Sequence, residues 1–127
     1  MSSSHSPGRV TILVVDDEAP IRRVVKNAVS GQATRVVEAT TGQEGIDLAA
    51  AEQPSLIVLD LGLPDMSGED VCRAIRGWST APIVVLSARH SDDEKVGLLN
   101  AGADDYVTKP FSTSEFQARV GAHLRPA

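Results

Sequence analysis

The feature that most constrains this chain is a regular alternation, repeated five times over 127 residues, of short Val/Ile/Leu runs with stretches of helical spacing. Residues 10–15 (VTILVV), 56–59 (LIVL) and 83–86 (IVVL) are almost wholly apolar. They show no in–out alternation, which is the pattern of strands covered on both faces. Residues 35–38 (RVVE) and 105–107 (DYV) are shorter and more polar, as edge strands are. Strand–helix alternation predicts an α/β fold on a single parallel sheet. With right-handed crossovers, a strand order of 2-1-3-4-5 makes that sheet doubly wound, with five helices on two faces.

The helices announce their starts. Thr41–Glu44, Ser91–Glu94 and Ser112–Glu115 match the capping box, and Ser67–Asp70 is a looser version. Pro20 sits in the opening turn of the first helix, where its missing N–H costs nothing. Ile21, Val24, Val25, Ala28 and Val29 keep the spacing of one buried face. Gly31, Gly77, Gly102 and Gly121 fall at helix ends or soft spots.

Each principal strand ends in a residue suited to phosphate chemistry. The first runs into Asp16-Asp17, the third into Asp60, the fourth into Ser87, and the fifth into Thr108-Lys109-Pro110. In an open parallel sheet, ligands bind outside the carboxyl ends of the strands where strand order reverses. Three carboxylates in one dry crevice repel one another and resist ionisation unless a cation joins them. Magnesium takes hard oxygen ligands, commonly one or two carboxylates plus a phosphate. Asp16-Asp17 alone is equally consistent with one of the two capping the first helix. A third aspartate and a lysine at the same edge favour the metal site. Asp60 is then the expected nucleophile toward phosphorus, forming an aspartyl phosphate. Lys109 binds the transferred group as a point charge and Ser87 hydrogen-bonds one of its oxygens. Gly62, two residues past Asp60, offers a backbone carbonyl to the metal and leaves the site open.

Composition narrows the alternatives. A net charge of −5 argues against nucleic-acid binding by this segment itself. No apolar stretch approaches the roughly 20 residues of a membrane span, so no membrane association is expected. A lone cysteine, Cys72, allows no internal disulfide and fits a reducing, cytoplasmic location; it reads as a small apolar residue on a helix. Residues 1–9 are Ser-rich and polar, and are expected to form a disordered arm ahead of one domain over 10–125. His5, His90 and His123 lack metal-ligand spacing and are expected to be idle or solvent-facing. Trp78 is expected to pack on the adjacent loop, Asp65 to set the turn after Pro64, and Arg89 to sit at the crevice mouth.

VVDDE, LDLGLPDMSG, VVLSAR and AGADDYVTKPF together resemble the receiver domain of two-component response regulators, a flavodoxin- or CheY-like fold. The resemblance spans nearly the whole chain. It implies that Asp60 accepts phosphate from a sensor histidine kinase. Asp17 and Asp60 would ligate magnesium directly, Asp16 through water, and Gly62 through its carbonyl. It further implies that Lys109 contacts the phosphoryl group, that Ser87 and the Ala88 amide form the hydroxyl switch, that Tyr106 is the aromatic switch, and that the Lys109-Pro110 bond is cis. GADDYVTKPF is similar to the OmpR/PhoB group, whose output is a winged-helix DNA-binding domain. DLGLPD and RGWSTAPIVVLSAR are similar to the regulators of potassium-transport operons within it. That output domain is expected to be missing from this chain, so DNA would be reached only through it. Lys95, Asp105, Glu115 and Arg119 match positions at which active dimers of this group form charge pairs, Lys95 with Glu115 and Asp105 with Arg119. Glu115 and Arg119, four apart, can equally pair within one helix.

A stand-alone receiver in a phosphorelay is the alternative expectation. An aspartate-nucleophile phosphatase is disfavoured, because Asp16-Asp17-Glu18 stands where that class carries DxDxT. The chain is expected to be no enzyme beyond self-catalysed phosphoryl transfer and dephosphorylation. A nucleotide site is disfavoured because no Gly-rich loop follows the first strand.

Overall fold

A computed structural model describes residues 9–88 and 91–125. Residues 1–8 of the arm expected over 1–9, His5 among them, and the positions of Arg89 and His90 lie outside the described residues. Strands β1 (Thr11–Val15), β2 (Arg35–Ala39), β3 (Leu56–Asp60), β4 (Ile83–Ser87) and β5 (Asp105–Thr108) alternate with five helices. These are α1 (Ala19–Val29), α2 (Gly42–Glu52), α3 (Gly68–Arg76), α4 (Asp92–Ala101) and α5 (Thr113–Leu124). All pairings are parallel and the order is β2-β1-β3-β4-β5, as expected. β2 runs on to Ala39 and β5 to Thr108, each one residue beyond the expected stretch.

Period-two alternation divides the sheet between two cores. Leu13, Val15, Ile57, Leu59, Ile83 and Val85 face α2, α3 and α4, meeting Val71, Cys72, Ile75 and Leu98. Ile12, Val14, Leu56, Val58, Val84 and Leu86 face α1 and α5, meeting Val25, Val29, Phe116 and Val120. β1, β3 and β4 are buried along their whole length, which accounts for their unbroken apolar runs. Cys72 is fully buried in α3 and burial pushes its thiol up to about 11, so it behaves as a small hydrophobe.

Local expectations are met unevenly. Thr41, Ser67, Ser91 and Ser112 do cap their helices, each accepting from the amide three residues on. The reciprocal half of the box is diverted. Glu44 accepts from the Thr40 amide, Glu94 from the hydroxyls of Ser87 and Tyr106, and Glu115 from Arg119. Val24 is 46% exposed, so the apolar stripe of α1 is narrower than its spacing suggested. Asp65 does more than set a turn: its two oxygens accept from the Gly42 and Gln43 amides at 2.7 and 3.0 Å, capping α2 from across the sheet edge. Those two bonds hold its carboxyl below the usual range despite its exposure. Trp78 is half exposed and lines a shallow hollow with Pro54 and Ala81 rather than packing fully on its loop. His123 is not solvent-facing, since its ring lies 3.0 Å from Asp105 Oδ2.

Candidate functional site

The loops leaving the carboxyl ends of β1, β3, β4 and β5 converge on a cavity of about 400 Å³. Glu18, Asp60, Gly62, Ser87, Glu94 and Lys109 are among its lining residues, and the Ala88 backbone lies beside Ser87. β1 and β3 are neighbours on opposite sides of the point where chain order reverses, so Asp16 and Asp60 emerge side by side. Asp60 is 4% exposed and Asp16 only 1%, whereas Asp17 is exposed.

Carboxylate oxygens of Asp16, Asp17, Glu18 and Asp60 all lie within 4.8 Å of one another. The turn carrying the first three is pinned internally. Asp16 Oδ1 accepts from the Glu18 amide at 2.9 Å, and Arg22, itself held by Glu38, donates to the Asp16 carbonyl at 2.8 Å. Asp16 Oδ2 is buried and has no hydrogen-bond partner among the described residues. A buried acceptor without a donor is costly, and a hard cation is the partner that removes that cost. Burial foremost, with the Asp60 charge adding, pushes the Asp16 carboxyl up to about 6, against the opposing Glu18 amide and Lys109 ammonium. The donor set therefore fits magnesium. Glu18 was not singled out as a ligand from sequence, although its place in the Asp16-Asp17-Glu18 run was visible.

Across the cavity, the Lys109 ammonium contacts Asp60 Oδ1. The Lys109 amide donates to the Ser87 carbonyl at 2.8 Å, which fixes the residue just past β5 against the end of β4. The peptide bond before Pro110 is cis. The Gly62 amide donates to Asp60 Oδ2 at 3.0 Å, and a β-carbon at Gly62 would stand 3.3 Å from that oxygen. Glycine thus lets backbone approach the carboxylate without shielding it. Ser87 is buried, and its Oγ donates to Glu94 at 3.3 Å. Tyr106 is partly buried, with its hydroxyl 3.2 Å from the same Glu94 oxygen and the Lys95 ammonium 5.4 Å above its ring. Glu94 was read from sequence only as a capping residue.

The expected dimer residues occupy one face built from α4, β5 and α5. Within the chain, Arg119 bonds Asp105 at 2.9 Å and Glu115 at 3.1 Å. Asp105 accepts from Arg119, His123 and the Tyr106 amide; desolvation pushes its carboxyl up, but these bonds, that from His123 foremost, hold it below the usual range. Lys95 is exposed.

The model of the response regulator receiver domain matches residues 12–121. This chain is a response regulator receiver domain. Over 114 residues the receiver is 49% identical to the KDP operon transcriptional regulatory protein KdpE of Escherichia coli (strain K12), covering 90% of this chain and 51% of that protein. It is 50% identical over 114 residues to the transcriptional regulatory protein KdpE of Mycobacterium tuberculosis (strain H37Rv), covering 90% and 50%. KdpE is a regulator of the OmpR/PhoB type, so the likeness expected from DLGLPD and VVLSAR holds. The receiver spans about half the length of these relatives. A two-component response regulator from Clostridium difficile superposes with a TM-score of 0.87 at 29% identity, covering 92% of this chain and 97% of that one. Among the described residues, no helix is long and apolar enough to cross a membrane.

Proposed function

We propose that this receiver takes a phosphoryl group onto Asp60 from the phosphohistidine of a sensor histidine kinase, and that the aspartyl phosphate then changes what the α4–β5–α5 face can bind. The observation carrying this reading is the Lys109 ammonium seated on Asp60 beside the Asp16, Asp17 and Glu18 carboxylates. Asp16, Asp17, Asp60 and the Gly62 carbonyl would hold magnesium, which when bound neutralises the acidic group and the charge of the incoming phosphoryl oxygens.

In the transfer, an Asp60 oxygen forms a bond to phosphorus while the bond from phosphorus to the donor nitrogen breaks, and that nitrogen keeps the electron pair. Loose phosphoryl transfer asks mainly for positioning and charge compensation. Lys109 moves from the free carboxylate to the phosphoryl oxygens, Ser87 Oγ donates to one of them, and Gly62 leaves the line of attack open. Hydrolysis ends the signal: a water oxygen forms a bond to phosphorus, the bond from phosphorus to the Asp60 oxygen breaks, inorganic phosphate leaves with the water's proton lost to solvent, and the carboxylate is restored.

The output reading rests on the charged face. Lys95, Asp105, Glu115 and Arg119 would pair with the same residues of a second copy about a two-fold axis, with Val96 and Leu99, both exposed on α4, supplying apolar contact. Since Asp105 and Arg119 are already paired within one chain, dimerisation exchanges partners and gains specificity more than affinity. Transcriptional control through a winged-helix domain beyond this segment is the accompanying proposal, as is a cytoplasmic location.

Incubation with acetyl phosphate and magnesium, read by intact mass, tests the proposal. The native chain should gain the mass of one phosphoryl group and Asp60→Asn should gain none. No gain by the native, folded chain overturns it.

A further inference from the structure

One oxygen of Glu94 accepts from two hydroxyls that belong to different parts of the molecule. Ser87 ends β4 inside the phosphoryl cavity, and Tyr106 lies on the edge strand β5. Glu94 itself sits in the first turn of α4 and lines the same cavity as Asp60 and Lys109. Its backbone amide already serves the Ser91 cap, so its carboxylate is not needed to start the helix.

We infer that Glu94 is a positioning residue for the switch, its carboxylate tethering Ser87 and Tyr106 together in the unphosphorylated chain and surrendering both when Asp60 is phosphorylated. This rests on the reading of Asp60 as the phosphoryl acceptor. A serine hydroxyl carries one proton, so Ser87 donates either to Glu94 or to a phosphoryl oxygen at a given moment. The phosphoryl group also adds nearly two negative charges to the cavity that the Glu94 carboxylate lines, and like charges in a confined site repel. Both effects act in the same direction. At 3.3 and 3.2 Å the two bonds are longer than the usual hydroxyl–carboxylate distance, which suits a contact that must yield. Lys95, over the Tyr106 ring, follows Glu94 on the same turn of α4, so a shift of that turn reaches the charged face directly.

The chain has a single tyrosine, so ring-labelled tyrosine gives one signal set by NMR. Spectra would be recorded for the native chain, Glu94→Ala, Glu94→Gln and Ser87→Ala, each with and without acetyl phosphate and magnesium, with circular dichroism to check folding. Without phosphate, Glu94→Ala should move the Tyr106 signal toward the position it takes in the phosphorylated native chain, since loss of one such bond shifts a two-state balance roughly fivefold. Glu94→Gln, which keeps an acceptor oxygen, should stay nearer the native position. A folded Glu94→Ala whose unphosphorylated Tyr106 signal matches the native one overturns the tether. So does a native signal that phosphorylation leaves in place while the mass rises. Failure of the native chain to gain mass instead removes the phosphoryl reading, and the unphosphorylated comparison still decides whether Glu94 holds Tyr106.

Discussion

The Lys109 ammonium reaches over the end of β4 to touch Asp60 Oδ1 on β3, although the two residues are 49 apart in sequence. That contact compensates a carboxylate that is almost fully buried, and it places a cation where a phosphoryl group would arrive. Lys109→Ala should reduce phosphoryl uptake from acetyl phosphate by about a hundredfold or more, the scale seen when one preorganised charge is removed from a transition state. The same variant should bind magnesium at least as tightly as the native chain, because a competing cation has gone. Rates from intact mass and affinity from calorimetry check the two halves separately.

Gly62→Ala would place a methyl 3.3 Å from Asp60 Oδ2 while leaving the core untouched. Uptake should slow about tenfold through misplacement of the reacting groups, with the unfolding midpoint nearly unchanged. Equal rates in the two proteins would show that the open approach at this position is unimportant.

Asp16 makes metal-free stability fall as pH rises. Burial pushes its folded carboxyl up to about 6 from an ordinary value of 3.8, so between these values the native state holds a proton that the unfolded chain has lost. Its stabilising contribution is complete below 3.8 and disappears as pH passes 6, a loss on the order of 3 kcal/mol. Magnesium should return much of that stability at pH 7 and little at pH 5, where proton and metal compete for the same oxygen. Asp105 and Asp65, whose carboxyls are held low, oppose this at the acid end, where their contributions vanish as pH falls through their folded values. Urea unfolding across the range, with and without magnesium, reads both limbs.

Charge reversal tests the exposed face. Lys95→Glu should weaken dimerisation of the phosphorylated chain, and adding Glu115→Lys should recover it. Sedimentation of phosphorylated samples measures this. Asp105→Asn should cost about 1 kcal/mol of monomer stability besides, because it dismantles a partly buried pair with Arg119 and His123.

Arg76 ties together two connections, α3 to β4 and α4 to β5, donating to the carbonyls of Ser79, Ala81 and Gly102 and pairing with Asp104 at 2.8 Å. Arg76→Ala strands these partly buried acceptors, and denaturant unfolding should register a loss of about 2–3 kcal/mol with phosphoryl uptake preserved.

How much was legible varied with the range of the interaction. The strands of β1, β3 and β4 could be read because burial on both faces demands uninterrupted apolar residues. The helix starts could be read because a capping side chain and its amide are three residues apart. Where the capping glutamates send their carboxylates could not. Glu94, Glu115 and Glu44 stand in the same sequence pattern, yet each takes the best donor that the fold happens to bring near. Asp65 as the cap of α2, Arg22 under the Asp16 carbonyl and His123 on Asp105 escaped for the same reason.

The amino-acid sequence on its own determined the α/β class, the family and the identity of the residues at each strand end, since apolar runs, caps and end residues are local properties of the chain. Only the tertiary structure decided which of those residues touch. It buried Asp16 with an oxygen unmatched, left Asp17 exposed, joined Glu18 to the group, and hung Ser87 and Tyr106 on one oxygen of Glu94. Contacts between side chains tens of residues apart depend on how strands are ordered and helices seated, and hydrogen bonds go to whichever donor that geometry delivers.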